Sequence, residues 1–217
     1  MQYNTISAQL QDVPHIDTVQ ALITLMAFAT WEPKTSLVQE SFALQGILAP
    51  TLRDIGLTEE QCPTPPLAGM DEQNGGATEE AKWRTWIAQE TSRRSKLIAF
   101  SFLHTHSIAY NVYPILRSNE INLRLPCPTK EWKAPNATLW RIAKNESQTP
   151  QLFFQEALSL LLRNKHDSLP LEPIPTPLGN YVLLHGLIQR IHIVRDLSLP
   201  VMSKTATLPV EEVKKLE

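Results

Sequence analysis

Glu90 and Arg94 stand four positions apart inside an apolar-rich stretch. On a helix that spacing stacks an acid one turn before a base, the favourable order. A carboxylate so placed could bind a cationic group or move a proton. It could equally be neutralised by its own arginine. Trp83, Trp86, Ile87, Leu97, Ile98 and Ser101 fall on the same helical face. We therefore read a structural ion pair set into a buried seam, for which loss of one partner costs roughly 3–5 kcal/mol.

The other reactive side chains are less well spaced. His104 and His106 are two apart and point in different directions on a helix, so they make a poor chelate. His185 and His192, seven apart on one helix face, read as partly buried, hydrogen-bonded histidines. Cys127 lies between Pro126 and Pro128, a rigid corner with nothing in the sequence to activate a thiol. Cys62 and Cys127 are too far apart in sequence to suggest a disulfide framework or a zinc site. There is no glycine-rich phosphate loop, GxSxG or HExxH. Leu158-Ser159-Leu160-Leu161-Leu162 matches LxxLL, a helix-docking motif, but it reads first as core packing. Arg93-Arg94 and Lys214-Lys215 are too short for a nuclear address. Two glycosylation sequons, at Asn136 and Asn145, carry no weight without a secretory signal.

The elements that position these residues are helical. Thr78 caps a helix that begins with Glu79 and Glu80, where the dipole favours acids. From Leu97 onward Phe100, Leu103 and Tyr110 fill its other face, which predicts a central helix that Pro114 ends or kinks. Residues 119–127 look extended, with Leu123 and Leu125 alternating, and Asn136 caps a new helix carrying Trp140. Upstream, Asp17 or Thr18 caps a core helix with Val19, Leu22, Ile23, Leu25, Met26, Phe28 and Ala29 inward. A second helix starts at Ser36, kinks at Pro50 near Gly46, and stops at Gly56, completing an αα-hairpin. Residues 58–78 and 166–177 are Pro-rich loops. Downstream, Thr149 caps a helix with Pro150 in its first position, running to about Arg163 with Leu152, Phe153, Ala157, Leu160 and Leu161 inward. The last core helix spans 178–195, with Tyr181, Leu183, Leu184, Leu187, Ile188, Ile191 and Val194 as its apolar side.

The chain has 217 residues, enough for one domain with a real core. With 42% hydrophobic and 19% charged residues it is globular. Seven glycines against seventeen prolines suit helices joined by Pro-rich corners better than a tightly turned sheet. A net charge of −2 and no basic run longer than two argue against direct contact with nucleic acid. Apolar stretches are broken by Ser, Thr and His, so no membrane span is predicted. The expected fold is all-α, one domain over 17–198, with a frayed lead-in over 1–16 and a tail or further helix over 199–217.

Several patterns in the 79–140 stretch, which holds four of the five tryptophans, resemble the middle homology region of fungal-specific transcription factors. They are the Trp83/Trp86 pair, Glu90, Arg93-Arg94, Leu125-Pro126-Cys127, and the series Trp132, Ala134, Ala137, Trp140. Val19-Gln20-Ala21-Leu22, Arg53-Asp54-Ile55-Gly56-Leu57 and 183–189 extend the likeness over about 19–198. Where many members carry an acid after the aromatic run, this chain has His104-Thr105-His106. The resemblance implies a regulatory domain of an RNA polymerase II factor, acting in the nucleus. Its partners would be coregulators or other regions of the same factor, and a small effector between helices could tune it. DNA and zinc binding would belong to a separate module, and a truncated factor is expected because none precedes the likeness here. No enzyme activity and no cofactor are expected, and Trp83, Trp86, Glu90, Arg94, Trp132 and Trp140 are assigned to architecture. The alternatives are an enzyme or small-molecule binder with a cavity beside His104 and Asn111, or a nonfunctional remnant.

Overall fold

A computed structural model describes residues 15–32, 34–59, 78–147, 149–163 and 170–198. Most of the lead-in over 1–16, the tail over 199–217 with Lys214-Lys215, Cys62, most of the Pro-rich loop 58–78 and residues 166–169 of the other lie outside the described residues. Among the described residues there are seven α-helices and no sheet: α1 His15–Trp31, α2 Thr35–Ile55, α3 Glu79–Ala109, α4 Thr129–Trp132, α5 Ala137–Glu146, α6 Phe154–Leu162 and α7 Pro177–Ser198. The fold is all-α, and no described helix is long and apolar enough to cross a membrane.

α1 and α2 form an antiparallel hairpin. α1 buries Val19, Leu22, Met26 and Ala29, one stripe at helical spacing. It was expected to be a core helix over most of its surface. Instead Leu25, Phe28 and Trp31 are exposed, because only one side meets α2 and α3. α2 runs through Pro50 to Ile55. Gly56 ends it at φ +88°, a left-handed conformation that suits a residue without Cβ.

α3 is the axis. The Thr78 hydroxyl accepts from the Ala81 N–H at 3.3 Å and caps it. Its C-terminal half is buried nearly all round, including Leu97, Ala99, Phe100, Leu103, His104 and His106. The serines there satisfy their hydroxyls internally, Ser101 donating to the Leu97 carbonyl at 3.1 Å and Ser107 to that of Leu103 at 3.0 Å. Pro114 does not end this helix. It stops at Ala109, just before Asn111 takes φ +50°, a conformation asparagine tolerates better than most residues.

Residues 121–127 run extended between two short neighbours. Asn122 N–H donates to the Leu57 carbonyl at 2.9 Å, and Leu125 N–H to that of Leu152 at 2.9 Å. Isolated bridges pair Thr58 with Asn122 and Arg124 with Phe153. Ile121, Leu123 and Leu125 point inward at 1% exposure or less. This pairing corrects the boundary of α6. Thr149 and Pro150 do not open that helix, because the backbone of 151–153 is engaged by the extended segment, so α6 starts at Phe154. Leu160 and Leu161, expected inward, are exposed; Leu158 takes the core position.

α7 corrects a second expectation. Tyr181, Leu184, Ile191 and Val194 are exposed, and the inward face is Val182, Leu183, His185 and Gln189. Two polar residues are turned inward because each has a buried partner. Gln189 Oε1 accepts from the Ser118 N–H at 2.6 Å, and its Nε2 donates to the Leu116 carbonyl at 3.0 Å. Gly186 lets α6 approach, since a Cβ there would sit 2.8 Å from the Phe154 ring.

Candidate functional site

The charged centre of the molecule lies where α3 meets the extended segment. Glu90 is fully buried. Its carboxylate accepts from Arg94 Nε at 2.8 Å, from the Cys127 N–H at 2.9 Å, and from Arg93 Nη1. One acid on a helix thus takes donors at both i+3 and i+4 and ties down a corner thirty-seven residues away. Arg94 also donates to the Cys127 carbonyl at 3.1 Å and lies over the Trp132 ring, 4.4 Å from its centroid. Arg93 reaches the other way, to Glu59, through Nε at 2.8 Å and Nη2 at 3.2 Å. Glu59 accepts in addition from the Arg124 N–H at 3.3 Å. The network binds α3, the segment after α2 and the 121–127 segment together, with three donors on each of the two carboxylates.

Cys127 sits inside this network as a free, buried thiol. Burial and the nearby Glu90 carboxylate push its pKa up to about 12. It stays a thiol at neutral pH, which disqualifies it as a nucleophile.

Beside the network opens a cavity of about 450 Å³. Trp86 of α3, Leu125 and Cys127 of the extended segment, and Gln151 form part of its wall, with Arg124, Glu131 and Lys144 as charged lining. Trp86 packs against Trp140 at 5.3 Å between ring centroids, and Lys144 Nζ rests 4.8 Å above the Trp140 ring. Burial holds the Glu131 carboxyl above its ordinary range.

The histidines form a separate cluster on the far half of α3. His104 Nδ1 and His185 Nδ1 are 3.0 Å apart and share one hydrogen bond, so one ring donates and the other accepts. Phe100 stacks on His104 and Tyr181 packs edge-on to His185. Burial, then the neighbouring His185, pushes His104 down to about 4. His106 turns to Ser41, with Nε2 3.0 Å from the hydroxyl. Among the described residues no group of three or more His, Cys, Asp or Glu is placed to hold a metal ion.

A profile of the fungal specific transcription factor domain matches residues 6–205. The chain belongs to that family. No curated protein and no solved structure matches it. The family is one of transcription regulators, and the chain's role is in regulating transcription.

Within this family member the structure brings Glu90, Arg94 and Trp132 into one contact set, and Trp86 and Trp140 into another beside it. Trp83 is half-buried nearer the start of α3. Ile98, placed on the same face by spacing, is exposed, because a 31-residue helix rotates its stripe as it passes successive neighbours. His104 and Asn111 do not line the cavity described above. His104 is enclosed by Phe100 and His185, and Asn111 is exposed at the end of the helix. Sequence reasoning missed Glu59, Arg124, Glu131, Gln151 and Gln189. Each is an isolated polar residue with partners more than twenty-five positions away or in another element, so no periodic signal marks it.

Proposed function

We propose that this chain is the regulatory, non-DNA-contacting domain of a fungal RNA polymerase II transcription factor, working in the nucleus. It has no enzymatic activity and no cofactor of its own, and DNA and zinc binding belong to another module of the factor. It acts through contacts with coregulators or with other regions of the same factor, tuned by a small effector.

Family membership supplies the frame, and the pairing of the cations supports the finer reading. Arg53, Arg84, Arg93, Arg94, Arg117, Lys130 and Arg141 each lie within ion-pair distance of a carboxylate. A face that grips phosphates releases counterions from free lysines and arginines aligned along it. Here those seven side chains are paired locally, and the chain carries a net charge of −2.

The test joins the chain to an unrelated DNA-binding module and measures a reporter in a fungal host, alongside gel-shift assays of the chain alone. The expected result is a several-fold change in reporter output and no duplex binding by the free chain at physiological salt. Micromolar duplex binding by the chain alone, or a reporter indifferent to the fusion, would overturn the reading.

A further inference from the structure

The cavity beside the Glu90 network has the size of a small-molecule site, about 450 Å³. Its wall is of two kinds. Trp86, Leu125 and Pro150 offer apolar surface, while Arg124, Lys144 and Gln151 offer polar groups.

Arg124 differs from the paired arginines. Among the described residues no carboxylate lies within ion-pair distance of it, though Glu59 and Glu156 are near enough to favour its charge. Its Nη1 donates to the Gln151 carbonyl at 2.7 Å, and its guanidinium lies 4.4 Å from the centroid of Phe153. It is half-buried, and burial together with nearby Arg93 disfavours its charge. Arg93 spends its own charge on Glu59 and Glu90. The result is a partly desolvated cation on a cavity wall, with no carboxylate among the described residues close enough to pair with it directly, a situation that proteins ordinarily resolve by pairing. Lys144, exposed at the rim over Trp140, likewise has no carboxylate within ion-pair distance among the described residues, though its charge acts on Glu131. The carboxyl of Glu131 shares this wall; burial raises its pKa, while a hydrogen bond from Ser147 and the charge of Lys144 act against that shift.

A second observation is independent of charge. Gln151 is 5% exposed, and its side-chain oxygen is buried with no donor among the described residues. Native structures rarely leave such an acceptor alone. A donor on a ligand gives it a partner once the terminal amide turns toward the cavity it lines.

We propose that this cavity binds a small organic acid: the carboxylate on Arg124 and Lys144, a flat or branched body against Trp86, and a hydroxyl toward Gln151. That the bound acid changes transcription rests on the regulatory reading above. That it binds does not.

The experiment titrates the full chain with 4-hydroxybenzoate, benzoate and 4-hydroxybenzyl alcohol at neutral pH, by calorimetry and tryptophan fluorescence. The expected result is saturable one-site binding of 4-hydroxybenzoate, with benzoate weaker and the alcohol weaker by about tenfold or more, as loss of a charge-assisted hydrogen bond requires. Arg124→Gln weakens the hydroxy acid by about tenfold or more, and Lys144→Gln by a smaller factor. Arg84→Gln, on the exposed side of α3, leaves it unchanged. If Arg124→Gln does not fold, the exposed Lys144→Gln carries the test. Three results would each overturn the site: no saturation by 4-hydroxybenzoate up to about 10 mM, an alcohol that binds as well as the acid, or cation variants that bind like the parent. A titration that behaves as expected beside a reporter indifferent to the domain would sink the regulatory reading and leave the site standing.

Discussion

Replacing Arg94 by alanine removes several contacts at once, including a weak one from Nη2 to Cys127 Sγ at 3.6 Å. Its Nε leaves Glu90 Oε1, its Nη2 leaves the Cys127 carbonyl, and its guanidinium leaves the Trp132 ring. The side chain is only 16% exposed, so water replaces little of this. Glu90 keeps Arg93 and the Cys127 N–H, which spares it the full penalty of an unpaired buried charge. Both hydrogen bonds come from a charged guanidinium, about 1.5–3 kcal/mol each, and removing one partner of a buried ion pair costs about 3–5 kcal/mol where the other is left uncompensated. The expected cost of Arg94→Ala is therefore about 3–5 kcal/mol. Urea unfolding followed by tryptophan fluorescence reads it directly. With a slope of about 2 kcal/mol per molar, the midpoint should fall by about 1.5–2.5 M. Arg94→Lys keeps the charge, yet a single ammonium cannot reproduce the planar fork that joins Glu90 to the Cys127 carbonyl, so it should fall between parent and alanine variant. Such losses are large against the usual 5–15 kcal/mol of a domain. The lysine variant therefore keeps the test readable if the alanine variant does not fold. A midpoint shift below about 0.3 M for Arg94→Ala would refute the claim that this corner is held by the buried network.

Acid should destabilise the domain through its histidines. His104 titrates at about 4 when folded and near 6.5 when unfolded. Between those values the unfolded chain holds the extra proton, so this contribution is full above pH 6.5 and lost as pH falls toward 4. By pH 5 the loss amounts to about 2 kcal/mol, and His106 and His185, also lowered by burial, act in the same direction. Glu131 is raised and works against them, so Glu131→Gln should steepen the loss; melting curves from pH 7 to 5 that are flat or rise would contradict this. Gly186→Ala should cost about 1–3 kcal/mol despite better helix propensity, since the new methyl meets Phe154; a raised melting temperature would show that α6 yields instead. Cys127 should resist alkylation by iodoacetamide at pH 8 in the folded chain and react once unfolded, as peptide mass spectrometry can record; prompt labelling of the native form would contradict its burial.

Local chemistry in the sequence was enough for several helix ends but not for all: α1 starts at His15, ahead of the expected Asp17 or Thr18 cap, and the short α4 was not expected. Thr78 and Asn136 cap where their hydroxyl and amide can reach a free N–H, Gly56 stops α2, and alternation over 121–125 marks an extended piece. Glu90 and Arg94 were legible as a pair because both lie on one helix, where spacing alone fixes proximity. Periodicity misjudged α7 because apolar character was used as a proxy for inward direction. His185 and Gln189 face inward instead, since His104 and the backbone at Leu116 and Ser118 offer them partners that only the packed fold supplies. The same reason moved the start of α6: the Thr149-Pro150 signal is a local preference, and the bridge to Arg124 outcompetes it. Glu59, Arg124 and Gln151 come from three separate segments, and the cavity wall and its unpaired cation exist only after the 121–127 segment is clamped between its neighbours. Helix and cap preferences are fixed by neighbours within four positions and so are written in the chain. Which buried polar groups meet, and where a cavity is left between them, depends on contacts between distant segments, and only the tertiary structure decides those.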